Sequence, residues 1–157
     1  LTGFVRRCVA TQTTPPEVTL QVLPPRGAVW VQADGLLLEH VVTNLVANAL
    51  GWAARGASQP GQVRVWVQSA TEPRMAQLCV ADSGPGVREE DREHIFNAFF
   101  STKDGGMGMG LAICRSIVEA HHGRIEVEHD PELGGARFTV WLPLDGAATG
   151  PSPQETP

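Results

Sequence analysis

Positive charge is scarce in this chain. Twelve Lys and Arg face seventeen Asp and Glu, for a formal net charge of −5. Nucleic acid and anionic membrane surfaces select basic proteins, so neither is expected as the main partner, although a local basic pocket for phosphates is compatible with this balance. Long apolar runs are also lacking: none approaches the roughly eighteen residues of a membrane-spanning helix, and no secretory leader opens the chain. Cysteine is sparse. Cys8, Cys79 and Cys114 are far apart, with no Cys-x-x-Cys, which reads as reduced cytoplasmic thiols rather than a disulfide framework. No Cys/His spacing fits zinc, and no internal repeat is visible. Leu1 is not a methionine, and we read the sequence as a domain of a longer protein.

At 157 residues the chain suits one domain with a real hydrophobic core. Residues 1–12 place Phe4, Val5, Cys8 and Val9 on one side of a short helix. Val18, Leu20 and Val22 alternate with polar residues, as in a strand, and residues 29–33 read as a second short strand. Asp34 is placed to cap a long helix running to about Ala54. Residues 63–69 and 77–81 read as paired strands. A short helix is expected near 89–95, a further helix over 108–122 closed by Gly123 at its C′ position, and a final hairpin over 125–129 and 136–142. After Pro143 the composition is that of a disordered tail. The element order suggests an α+β sandwich, with a mixed sheet covered on one face by three helices.

Three local patterns carry chemistry. On the long helix, Leu38, Val42, Leu45, Val46, Ala49 and Ala53 share one face, while His40, Asn44, Asn48 and Gly51 share the other. Asparagines four apart on a helix are neighbours. Asn is a poor helix former, so the pair costs stability unless it has a task. Alone it fits either a polar surface or an oxygen ligand for Mg²⁺, which keeps most of its waters and bridges phosphates. Asp82-Ser-Gly84-Pro-Gly86 fits a β-turn. It equally fits a buried carboxylate that accepts an exocyclic N–H of adenine, with glycines letting backbone approach the ring. Gly106-x-Gly108-x-Gly110-Leu111 opens a helix, where exposed N–H groups and the helix dipole favour phosphate. Lys103 just before it is either a solvated lysine or a point charge on a terminal phosphate. Phe96, Phe99 and Phe100 are too apolar for a wholly exposed loop and are expected to pin one end of a long lid, residues 87–107, to the body.

Taken in order, Asn44-x-x-x-Asn48, Asp82-x-Gly84-x-Gly86, Phe96-x-x-Phe99-Phe100, Gly106-x-Gly108-x-Gly110-Leu111 and Gly134-Gly135-x-x-Phe138-x-x-x-Leu142-Pro143 resemble the N, G1, F and G2 boxes and the final strand of the ATP-binding catalytic domain of bacterial sensor histidine kinases. That domain belongs to a superfamily shared with gyrase, Hsp90 and MutL. The resemblance implies a two-layer α/β sandwich of the Bergerat type, with a mixed sheet of about five strands and three helices on one face. Residues 1–143 would be the catalytic domain and 144–157 a tail. It implies ATP and Mg²⁺ as cofactors, with Asn48 holding the metal. Asn44, Asn48 and Lys103 would be catalytic. Asp82, Gly84, Gly86, Lys103, Gly106, Gly108, Gly110 and Leu111 would contact the nucleotide. The γ-phosphate would pass to a histidine on a separate dimerisation domain of the same protein, then to the receiver domain of a response regulator. No nucleic acid and no direct membrane contact are implied. The isolated domain would be a monomer, and the parent a homodimer acting in the cytoplasm, with or without a membrane anchor.

The likeness is nearest the oxygen- and nitrogen-sensing kinases, but Gly51 stands where many members carry Lys, and Ala136 where many carry Thr. None of the five histidines has the Ser-His-Glu-x-x-Pro-like setting of a phosphoacceptor, and a structural role is expected for each. The alternatives are a nucleotide-sensing module without activity and a hydrolytic ATPase of the gyrase or MutL kind. The ATPases use Glu as general base where this chain has Asn44.

Overall fold

The computed structural model describes residues 1–57, 59–70, 74–100 and 109–146. Helix α1 spans Thr2–Ala10, strand β1 Val18–Val22, helix α2 Gly35–Arg55, strand β2 Gly61–Ala70 and strand β3 Met75–Asp82. Helix α3 spans Gly110–Ala120, and strands β4 and β5 span Arg124–His129 and Ala136–Pro143. The strands form one five-stranded sheet in the order β1-β2-β3-β5-β4. β1 runs parallel to β2, and the remaining neighbours are antiparallel.

Period-two alternation decides which face is covered. Val63, Val65 and Val67 of β2, Leu78 and Val80 of β3, and Phe138, Val140 and Leu142 of β5 are buried on one side. They meet Leu38, Val42, Leu45, Val46, Ala49 and Ala53 of α2, the apolar face expected from helical spacing, together with Cys114, Ile117 and Val118 of α3. The second face carries Arg64, Trp66, Gln68, Gln77, Arg137 and Trp141. The fold is therefore the expected mixed five-stranded sheet with helices over one face.

The start of α2 follows the capping rule: Asp34 Oδ1 accepts the N–H groups of Leu36 and Leu37, each at 3.0 Å. The end of α3 differs from expectation. His122, not Gly123, takes the left-handed position, with φ 59°. The His122 N–H reaches the Glu119 carbonyl and the Gly123 N–H the Val118 carbonyl, both at 2.9 Å, which is a Schellman closure one residue earlier than the sequence suggests. Glycine is needed at 123 for another reason: a Cβ there would overlap the Trp141 carbonyl and press on Val118 and Leu142.

Two further expectations are corrected. Residues 29–33 form no strand. Val29 is buried and Trp30 is 71% exposed, so the alternation is real. It marks an extended segment whose backbone makes single contacts, such as the Asp145 N–H to the Trp30 carbonyl at 2.8 Å, rather than a ladder. The expected helix over 89–95 is instead a pair of 3₁₀ turns, Glu89–Asp91 and His94–Phe96. Beyond β5 the Leu144 N–H still reaches the Arg74 carbonyl at 3.2 Å; residues 147–157 of the expected tail lie outside the described residues.

Candidate functional site

Asp82 ends β3 on the helix-covered side, two residues beyond Val80, and is 1% exposed. A carboxylate buried this far needs donors. Its Oδ1 accepts the Gly84 N–H at 2.8 Å and the Ala136 N–H at 3.4 Å. The backbone around it is packed so closely that side chains are excluded. A Cβ at Gly135 would stand 2.5 Å from Asp82 Oδ1 and 2.7 Å from the Gly84 nitrogen. A Cβ at Gly84 would stand 2.9 Å from the Trp52 carbonyl oxygen and Cβ, and one at Gly56 would stand 2.6 Å from the Ser83 carbonyl oxygen. Gly86 turns the chain with φ +77°, a conformation glycine adopts without steric cost. Ser83 is locked as well: its N–H donates to the Gln62 carbonyl at 2.9 Å, and its Oγ accepts the Gln62 N–H at 2.8 Å.

The other end of the site lies further back on α2. A Cβ at Gly110 would be 3.7 Å from Asn44 Oδ1, so the first turn of α3 starts against this carboxamide. Asn44 Nδ2 lies 3.0 Å from His40 Nε2, and Asn44 also lies beside the buried Cys114 thiol. Burial pushes that thiol up to about 11, and Asn44 opposes the shift. α3 runs antiparallel to α2. At its far end His121 joins the two helices: its Nε2 accepts the Asp34 N–H at 3.0 Å while Nδ1 lies 2.7 Å from the Ile117 carbonyl oxygen, which fixes the Nδ1–H tautomer. Leu111 packs against the core and anchors the start of α3.

α2 therefore carries the Asn44–Gly110 contact at one point and the Trp52–Gly84–Asp82 contact eight residues later, a distance of about 12 Å at ~1.5 Å rise per residue. Asn48, half-buried, lies midway between them. The structure brings together Asn44 with Gly110, and Asp82 with Gly84 and Gly86. Lys103, Gly106 and Gly108 lie outside the described residues.

The aromatic box divides. Phe96 is buried and meets the Phe138 ring edge-on at 6.2 Å between centroids, and Phe100 packs partly against the core. Phe99 is 75% exposed with φ 67°, so it does not share in the anchoring that its apolar character suggests. Among the described residues no group of three His, Cys, Asp or Glu could hold a metal ion.

Sequence reasoning missed Gly56, Trp52 and Gly135 as parts of the Asp82 end; it placed His40 on the Asn44 face of α2 without anticipating the bond between them. Gly135 was visible in the closing motif, but nothing in its spacing says that it backs a carboxylate 53 positions earlier, since strand pairing creates that contact.

Residues 33–146 match the family described as histidine kinase-, DNA gyrase B-, and HSP90-like ATPase. The chain is 43% identical over 115 residues to the C4-dicarboxylate transport sensor protein DctS of Rhodobacter capsulatus, covering 73% of this chain and 17% of that protein. It is 41% identical over 117 residues to the sensor protein FixL of Bradyrhizobium diazoefficiens, covering 74% of this chain and 22% of that one. Thus it spans under a quarter of the length of either. Among solved structures, a nucleotide-free catalytic domain of the histidine kinase ThkA superposes with a TM-score of 0.67 at 30% identity, covering 80% of each chain. The chain belongs to the histidine kinase-, DNA gyrase B-, and HSP90-like ATPase family, as an ATP-binding catalytic domain of the sensor histidine kinase type.

Proposed function

We propose that residues 1–143 hold Mg·ATP along α2 and present its γ-phosphate to a histidine on a separate dimerisation domain of the parent protein, from which a response regulator takes it. One observation carries this reading. The Asp82 end and the Gly110 end of the site are held two helical turns apart on one helix, a span that an extended nucleoside triphosphate fills, with Asn48 between them. Asp82 would accept the adenine amino group, and Gly84 and Gly86 would admit the ring. The start of α3 at Gly110, with Gly106 and Gly108 before it and Leu111 behind it, would receive the phosphates on backbone N–H groups. Lys103 would neutralise the terminal phosphate.

The donor set fits Mg²⁺. A carboxamide oxygen is a hard ligand, and this ion is commonly held by one or two protein groups plus substrate phosphates, so Asn48 suffices as the protein's contribution. When bound, the metal would neutralise charge on the phosphoryl group. The protein's own part is positioning: Asp82 fixes the base, α2 fixes the length, and α3 orients its dipole at the phosphates. Asn44 cannot take a proton from water, which disfavours a hydrolytic ATPase. The reading also places residues 144–157 as a tail, the domain as a monomer, and the parent as a cytoplasmic or membrane-anchored homodimer. No helix among the described residues is long and apolar enough to cross a membrane.

Calorimetry with ATP, ADP and GTP on the wild type and on Asp82→Asn tests it. ATP and ADP should bind and GTP should not, with the adenine nucleotides lost in the variant. Equal GTP binding, or full retention in Asp82→Asn, would sink the adenine assignment. Transfer of label from ATP to a supplied histidine-bearing dimerisation domain, and none to the chain itself, tests the kinase step.

A further inference from the structure

We propose that His40 is a positioning residue for the phosphate end of the site, acting through Asn44. The inference rests on the nucleotide reading above. Asn44 Nδ2 lies 3.0 Å from His40 Nε2, one turn back on α2. A carboxamide nitrogen only donates, so His40 Nε2 is the acceptor. With Nδ2 turned to His40, Oδ1 faces the start of α3, where Gly110 lies. His40 thereby decides which end of the Asn44 amide meets the start of α3. An amide left without this bond can rotate by half a turn, since its two ends have nearly the same shape. It would then present N–H where the structure has C=O, against the first turn of α3.

The consequence is local and specific. His40 fixes the direction in which the N–H groups and the lone pairs of Asn44 point. A phosphate seated at the start of α3 meets this amide, whereas a base seated at Asp82 is two turns away. Loss of His40 should therefore weaken ligands that carry phosphates and leave adenosine alone. Glutamine at this position can accept the same N–H through its Oε1, whereas leucine of similar bulk cannot.

The test is an NMR titration of the wild type, His40→Leu and His40→Gln with Mg·AMPPNP and with adenosine. His40→Leu should weaken Mg·AMPPNP binding about three- to tenfold, the effect of one neutral hydrogen bond at a binding site. It should leave adenosine affinity unchanged, and His40→Gln should restore the wild-type value for Mg·AMPPNP. The side-chain amide resonance of Asn44 should move in His40→Leu and return in His40→Gln. Unchanged Mg·AMPPNP affinity in His40→Leu would overturn the proposal. Equal loss of both ligands would overturn it too, because that is the mark of a general structural role. A wild type that binds neither ligand would refute the nucleotide reading itself, and this inference with it.

Discussion

Gly135→Ala adds a single methyl group, yet it should damage both the stability and the binding site. The added Cβ would stand 2.5 Å from Asp82 Oδ1 and 2.7 Å from the Gly84 nitrogen, and would overlap the Asp82 carbonyl. Two of these are backbone atoms, and the third, Asp82 Oδ1, is buried and hydrogen-bonded. One way out is for β5 to shift from β3, which is overpacking of a tight interior and costs about 1–3 kcal/mol. The other is for Asp82 to swing away and give up the 2.8 Å bond from Gly84 N–H. A hydrogen bond to a charged group contributes about 1.5–3 kcal/mol. Either route costs about 2 kcal/mol, which for a domain of this size lowers Tm by roughly 4–8 °C. Both routes also disturb the carboxylate proposed to read adenine, so Mg·ADP affinity should fall. Gly134→Ala is the control. Gly134 has φ +84° with nothing within 4 Å of its would-be Cβ, so that variant meets backbone strain but no Asp82 contact. It should lower Tm and leave nucleotide affinity intact. Urea melts and calorimetry on the two variants decide the matter. A Gly135→Ala protein with wild-type melting and wild-type ADP affinity would refute the claim that close backbone packing sets the Asp82 geometry.

Phe96→Ala should destabilise the domain by about 3–5 kcal/mol, the usual cost of emptying a buried aromatic site, whereas Phe99→Ser should change stability by less than about 0.5 kcal/mol as a surface substitution; comparable losses from both in urea melts would contradict the division of the aromatic box. The buried thiols give a pH prediction. Burial raises Cys79 and Cys114 from 9.0 to about 11, so the unfolded chain releases these protons at lower pH than the folded one. Stability should hold below pH 9 and fall as pH rises towards 11, and thiol-reactive dye at pH 8 should label the native domain far more slowly than the unfolded chain. Rapid native labelling of Cys114, or stability flat over that range with both thiols replaced having no effect, would count against it.

Much of the sheet was legible because its strands have one buried face, and one-face burial prints an alternating pattern. β1 to β5 all fall where alternation places them. The same signal misled at residues 29–33, since alternation reports which side chains are buried, whereas a strand also needs a neighbour to pair with, and none is there among the described residues. α2 was legible to its cap because Asp34 and the apolar spacing agree. The end of α3 was misread by one residue because glycine has two uses, positive φ and close approach, and the sequence does not say which applies. At the site, Asp82 and the asparagines stood out through the cost of placing polar groups where they are. His40 did not, because an exposed histidine on a helix looks the same whether or not it holds its neighbour.

The fastening of α2 to α3 at two points bears on the entropy of binding. Asp34–His121 holds one end of the helix pair, and the close packing of Gly110 on Asn44 holds the other. The pair cannot slide without losing one of these contacts, so the distance between the Asp82 end and the Gly110 end is set when the chain folds. Ordering the two ends relative to each other is a cost that folding has already met. A ligand of the right length finds the site preorganised and loses little affinity to ordering it, whereas one of the wrong length cannot recover the difference by drawing the ends together. For a nucleotide bound as proposed, the helix pair would act as a ruler, discriminating by length before any single contact discriminates by chemistry.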